Sequence, residues 1–122
     1  MQAGPIVRAL ALTLAFVWAF ATPATGVASQ VAEGERLFGS KCALCHAEGG
    51  SGALMLSWRL GKDHSVLADR TDLQAAYVTA IVRAGLRSMP PLTRVEVTDE
   101  QLAAIAAYLT RTRRSAGGRA AP

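Results

Sequence analysis

Cys42, Cys45 and His46 are the residues whose types and spacing speak most directly of chemistry. In Cys42-Ala43-Leu44-Cys45-His46 two thiols are separated by two residues and followed at once by an imidazole. A short helical turn puts both sulfurs on one side, where each can add to a vinyl group and form a thioether. The next residue then projects its imidazole at an iron. The pattern predicts one covalently bound haem c with His46 as proximal ligand. Two other uses fit less well. A thioredoxin-like redox pair needs a βαβ setting, and a zinc site needs four ligands. Cys42, Cys45, His46 and His64 are the only Cys/His candidates, and the adjacency of Cys45 and His46 makes a tetrahedron from all four awkward.

The second axial position decides between electron transfer and ligand chemistry. Met89 stands in Gly85-Leu86-Arg87-Ser88-Met89-Pro90-Pro91, an irregular stretch that two prolines would stiffen around a haem edge. Met/His ligation fills the iron's coordination sphere and raises its reduction potential. Met89 is therefore the expected distal ligand. Met55 reads as ordinary core, His64 beside Lys62 and Asp63 as a surface histidine, and an open site stays as the remaining alternative. Trp58 and Arg59 are candidates to hydrogen-bond a haem propionate, a role that suits the guanidinium fork; the alternative has Trp58 in the core and Arg59 solvated. Tyr77, Ile81 and Leu86 read as pocket or core. Arg83, Arg87 and Arg94 bracket the Met89 segment and read equally as a basic rim for an acidic partner or as a solvated face.

The elements that must position these residues are helical. Of 122 residues, 51% are hydrophobic and 18% charged, too apolar for a disordered chain, and the length allows a single compact domain. Residues 1–28 read as an export signal: Arg8 is the only charge before Glu33, Ala9–Ala21 is apolar but for Thr13, and small residues precede a cleavage position after Ala28, with Ala24 as a second candidate. Residues 29–114 would form the domain and 115–122 a frayed tail, leaving no membrane span in the mature form. A first helix is predicted over Gln30–Ser40, with Val31, Leu37 and Phe38 inward. A loop opens at Gly49-Gly50-Ser51-Gly52 and runs to about Arg70. A second helix begins at Thr71, capped by Thr71 and Gln74, and stops at Gly85. The last helix repeats the capping box with Thr98 and Gln101 and buries Leu102, Ile105, Ala106 and Leu109. Arg111, Arg113 and Arg114 suit its negative end. The formal charge of +4 is too small and scattered to argue for nucleic acid. No paired carboxylates, Ser-His-Asp set or phosphate loop stands out, so the reading is an electron carrier and not an enzyme.

Taken in order, Gly34, Phe38, Cys42-Ala43-Leu44-Cys45-His46, Met89-Pro90 and Tyr108-Leu109 resemble the class I cytochrome c family along nearly the whole mature chain. The resemblance implies an all-α, class I cytochrome c-like fold. Its first and last helices would cross near Gly34 and Tyr108, with a haem buried but for one edge, and electron transfer as the activity. A narrower likeness covers about the C-terminal third. Ala76-Tyr77-Val78, Ile81-Val82-Arg83, Gly85, Arg87, Met89-Pro90 and Asp99-Glu100 resemble the cytochrome subunit of p-cresol methylhydroxylase-type flavocytochromes. That likeness implies a flavoprotein dehydrogenase as electron donor and a second redox protein as acceptor, and the export signal points to the periplasm as location. A freely diffusing shuttle and a haem ligand-binding sensor or enzyme are the alternatives. One departure stands out. Family members often carry a proline soon after the haem motif whose carbonyl orients the proximal imidazole; here none lies between His46 and Met89. The acceptor that fixes the ring is therefore unassigned, with a carbonyl in the Gly52–Leu54 stretch as one candidate.

Overall fold

The computed structural model describes residues 24–111, and these form an all-α arrangement. Helix α1 (Ala24–Lys41) leads through a short turn, α2 (Ala43–His46), into α3 (Ser51–Leu60). Two 3-10 turns (Lys62–His64 and Leu67–Asp69) connect α3 to α4 (Ala75–Ala84), and α5 (Asp99–Leu109) closes the domain. Among the described residues there is no strand, only an isolated antiparallel bridge between Leu86 and Met89, and no helix is long and apolar enough to cross a membrane.

The core is the crossing of α1 and α5. Seven of the eleven residues of α5 are buried, including Leu102, Ile105, Ala106 and Leu109, the stripe expected from the sequence, with Tyr108 beside them. Thr98 and Gln101 make the expected capping box: each side chain bonds the other's backbone N–H. The two helices approach so closely because Gly34 has no side chain. A Cβ there would lie 1.9 Å from the Ala104 carbonyl oxygen and 2.9 Å from Tyr108 Cβ. One turn on, Phe38 packs on the Tyr108 ring with centroids 5.6 Å apart. The crossing implied by the resemblance is therefore present. At the far end of α5, Arg111 lies over the Tyr108 ring and donates to the Ala68 carbonyl, tying the second 3-10 turn to the core.

Three sequence expectations need correction. Helix α1 starts at Ala24 and not near Gln30, so it runs through Ala28. Its side chains at 26–30 are exposed, and contact with the core begins at Val31. The segment 49–70 is not one loop, since it contains α3. Gly50 supplies an extended N-cap and Gly61, at φ 89°, the stop, so these glycines bracket a helix instead of dissolving it. Helix α4 begins at Ala75, and its N-cap Gln74 makes no side-chain cap bond. Arg70 grips Asp72 through two hydrogen bonds, and Leu73 is buried, which holds 70–74 in a non-helical path. Gly85 ends α4 as expected, at φ 73°, its N–H bonded to the Ile81 carbonyl. The bulk of the export-signal segment and of the tail, Arg113 and Arg114 included, lies outside the described residues.

Candidate functional site

An apolar cleft opens between α1 and α5 on one side and α3, α4 and the Met89 segment on the other. It encloses about 1040 Å³ of space not filled by protein, its open mouth included, and Phe38, Leu56, Leu73, Ile81, Ile105 and Leu109 are among its lining. The cleft brings together Cys42, His46 and Met89. Cys45 is exposed and does not line it, and the two cysteines are not joined to each other.

The attachment residues sit where α1 turns into α2. Phe38 accepts from the Cys42 N–H at 2.9 Å, and Cys42 in turn accepts from the His46 N–H at 3.0 Å, so the motif is wound as a continuous helical turn. Burial pushes the Cys42 thiol above its ordinary value, the nearby Lys41 charge opposing. Burial also lowers the pKa of His46, which favours the neutral imidazole, the form that binds a metal. The ring lies against Gly52 at the start of α3. Its Nδ1 is buried and has no hydrogen-bond partner, so the candidate carbonyls of Gly52–Leu54 do not engage it.

Met89 is held by its backbone. Leu86 and Met89 exchange both N–H···O bonds at 3.0 Å, a tight turn that needs Arg87 at φ 55°, in the left-handed region. The Leu92 N–H then returns to the Val82 carbonyl at 2.8 Å. The thioether side chain packs, half-buried, against the core.

Arg83 fixes this segment to α4 and α5, a role the sequence did not reveal. Its guanidinium donates to the Leu92 carbonyl at 3.0 Å, the Val97 carbonyl at 2.8 Å and the Asp99 carboxylate at 2.8 Å. Arg94 pairs with the same Asp99 at 2.7 Å. Of the three arginines read as a rim, Arg87 alone lines the cleft; Arg83 is turned inward and Arg94 is neutralised. The only signal for Arg83 was a cation in the last turn of a helix with an acid at the start of the next.

The remaining candidates divide. Tyr77, Ile81 and Leu86 line the cleft, as expected, and so do Arg59 and Arg70. Met55 is not core: it is exposed and lines the cleft. Trp58 is 71% exposed and is not part of the cleft lining, which does not fit the core reading. His64 is a surface residue. Among the described residues no three His, Cys, Asp or Glu side chains converge as metal ligands, so His64 does not complete a zinc set with the motif.

The residues present fit a covalently attached haem: a wide apolar cleft, an imidazole in its lining whose neutral form burial favours, a glycine that leaves room beside that ring, and a thioether on a fixed turn. Comparison with known proteins agrees. The family described as cytochrome c oxidase, cbb3-type, subunit III matches residues 29–109. No curated protein and no solved structure matches the chain.

Proposed function

Because the chain belongs to the cytochrome c family described as cbb3-type oxidase subunit III, we propose that it is an exported, monohaem electron carrier that takes electrons from a flavoprotein dehydrogenase. Membership makes it a c-type cytochrome, with covalent haem c and a part in electron transfer. The finer reading assigns the residues. Cys42 and Cys45 hold the haem through thioethers, His46 ligates through the nitrogen not turned to the protein, Nε2, and Met89 Sδ is the distal ligand. The observation that carries this assignment is the meeting of Cys42, His46 and Met89 on one apolar cleft.

When bound, the haem supplies a reversible one-electron couple between ferric and ferrous iron. The chain supplies the rest. His46 is kept neutral by burial, and the Met89 turn is braced by the Leu86 pair and, through Leu92, by Arg83. With both donors on braced backbone, little rearrangement accompanies a change of charge. Phe38, Leu73, Ile81, Ile105 and Leu109 give the cleft an apolar lining; around a bound haem such a lining lowers the local dielectric and favours the form with less net charge.

Export to a periplasm rests on Arg8, the apolar run Ala9–Ala21 and the small residues before Ala28. The flavoprotein donor rests on the likeness within residues 76–100. The family description, an oxidase subunit, favours a second reading in which the partner is an oxidase. A gentle pull-down of the matured, tagged protein from its native host, with absorption spectra of the eluate, separates them. Flavin co-eluting at a fixed ratio with haem c supports the dehydrogenase, and additional haem with copper supports the oxidase. Haem c alone favours a diffusing shuttle. Carbon monoxide binding tests the axial assignment: the ferrous protein is expected to refuse it at neutral pH and Met89→Ala to accept it. Binding by the unaltered protein would instead favour a ligand sensor or enzyme.

A further inference from the structure

We infer that Gly52 is a positioning residue for the His46 imidazole, seating the first turn of α3 against the ring so that Nδ1 has no acceptor and the reduction potential is held up. The inference rests on His46 as the proximal ligand and concerns how that ligand is tuned.

Two independent observations carry it. The first is steric. A Cβ at Gly52 would lie 3.0 Å from His46 Cε1, 3.1 Å from Nδ1 and 2.9 Å from the Cys45 carbonyl oxygen. The crowding is with a ring and a backbone atom, neither of which can swing aside, so only glycine leaves the imidazole where it is. The second is the orphaned donor: His46 Nδ1 is buried and unpartnered. The two observations explain each other. The helix that Gly52 admits presents its first turn, whose unpaired backbone groups are N–H donors and not carbonyls. The Gly50 carbonyl already accepts from Leu54 at 2.9 Å. No proline follows the motif to supply a carbonyl from elsewhere before Met89.

The consequence is electronic. An Nδ1–H that donates to a strong acceptor makes the ring more basic and its Nε2 a better donor to iron, which favours the ferric state. A ring without that acceptor gives less to the ferric state. The partial positive charge at the start of α3 acts in the same direction, because it disfavours the more highly charged iron. Both effects raise the potential, and both depend on the absence of a side chain at position 52.

The test uses the matured holoprotein. In its ferrous form, nitrogen-15 and proton spectra of His46 separate the questions. Ring protons strongly shifted upfield by the haem establish ligation; their absence would remove the proximal assignment itself. Given ligation, an Nδ1–H that lacks the downfield position of a bonded imidazole N–H is expected. A strongly downfield Nδ1–H would overturn the inference while leaving His46 as ligand. Gly52→Ala is expected to lower the reduction potential and to move the Nδ1 resonance with it. Gly39→Ala, whose added Cβ meets nothing within 4 Å, is expected to change neither. An unaltered potential in Gly52→Ala would also overturn the inference. Should that variant fail to mature, the spectrum of the unaltered protein decides alone.

Discussion

The two halves of the domain are finished to different degrees. At the α1–α5 crossing the protein completes its own core: Gly34, Leu37, Phe38, Leu102, Ile105 and Tyr108 are all buried. Across the cleft, α3 buries only Ala53, and Met55, Tyr77 and Leu86 are 44%, 52% and 46% exposed. The contrast teaches that the second half is written for a core that is not made of amino acids. Its side chains Met55, Tyr77 and Leu86 line a space that another apolar body would fill, whereas the α1–α5 crossing is packed by protein, with Leu73, Val78 and Val82 joining the same core.

The sharpest way to break that comparison is to remove attachment. Cys42→Ser with Cys45→Ser is expected to abolish covalent haem and to strip hydrogen-exchange protection from α3 and α4 while α1 and α5 keep theirs. Uniform loss across all four helices would show that the halves are one cooperative unit. The next largest effect belongs to the crossing. Leu102→Ala is expected to cost about 2–5 kcal/mol, and Gly34→Ala should approach the upper part of the overpacking range, about 1–3 kcal/mol, because the new Cβ meets backbone. Chemical denaturation of the haem-loaded protein measures both.

Arg83→Ala probes the join between the halves. It orphans the Leu92 and Val97 carbonyls and is expected to cost about 2–3 kcal/mol. Exchange at Met89 should rise more than exchange at Phe38; equal increases would mean that Arg83 does not belong to the cleft side. Thr98→Ala removes one half of a capping box and is expected to cost about 1 kcal/mol, read as a modest fall in Tm.

The smallest effect is that of acid. Hydrogen bonds from Arg94, then Arg83, lower the Asp99 carboxyl, and the Arg70 hydrogen bond holds Asp72 at about 2. A carboxylate lowered on folding contributes fully above its unfolded value near 3.8, and the contribution disappears as pH falls through the folded value. Stability should therefore decline between about pH 4 and 2, and only slightly, because both carboxylates face solvent. No ion pair joins α1 to α5 among the described residues. The α3–α4 side should loosen first in an acid titration followed by exchange, and earlier loosening of α1 would contradict the comparison.

The same division decides what could be read in advance. Helix α5 was legible because most of its burial is against protein, although Ile105 and Leu109 also line the cleft, so its stripe and its Thr98–Gln101 cap both left a pattern. The Gly34–Tyr108 crossing was legible only through resemblance, since a single glycine says nothing about which backbone it meets. Helix α3 was missed because its apolar residues do not form a stripe toward other side chains, and because Gly50 and Gly52 serve close approach to Cys45 and His46 and not chain flexibility. The Thr71–Gln74 box failed for a reason visible only in three dimensions, the grip of Arg70 on Asp72 combined with the burial of Leu73. Cys42, His46 and Met89 line one cleft, and Cys45 does not. The inward turn of Arg83 and the orphaned His46 Nδ1 depend on contacts with residues distant in sequence or on groups that are missing, and neither leaves a motif.

The crossing also sets a timetable. Its two partners stand at opposite ends of the domain, so a chain delivered from its N-terminus has α1 in place without its main packing partner until Asp99–Leu109 arrives. Through that interval Cys42, Cys45 and His46 are presented on an unclosed chain, open to whatever machinery carries out the attachment. The contact that makes the finished domain rigid is the last that its sequence permits to form.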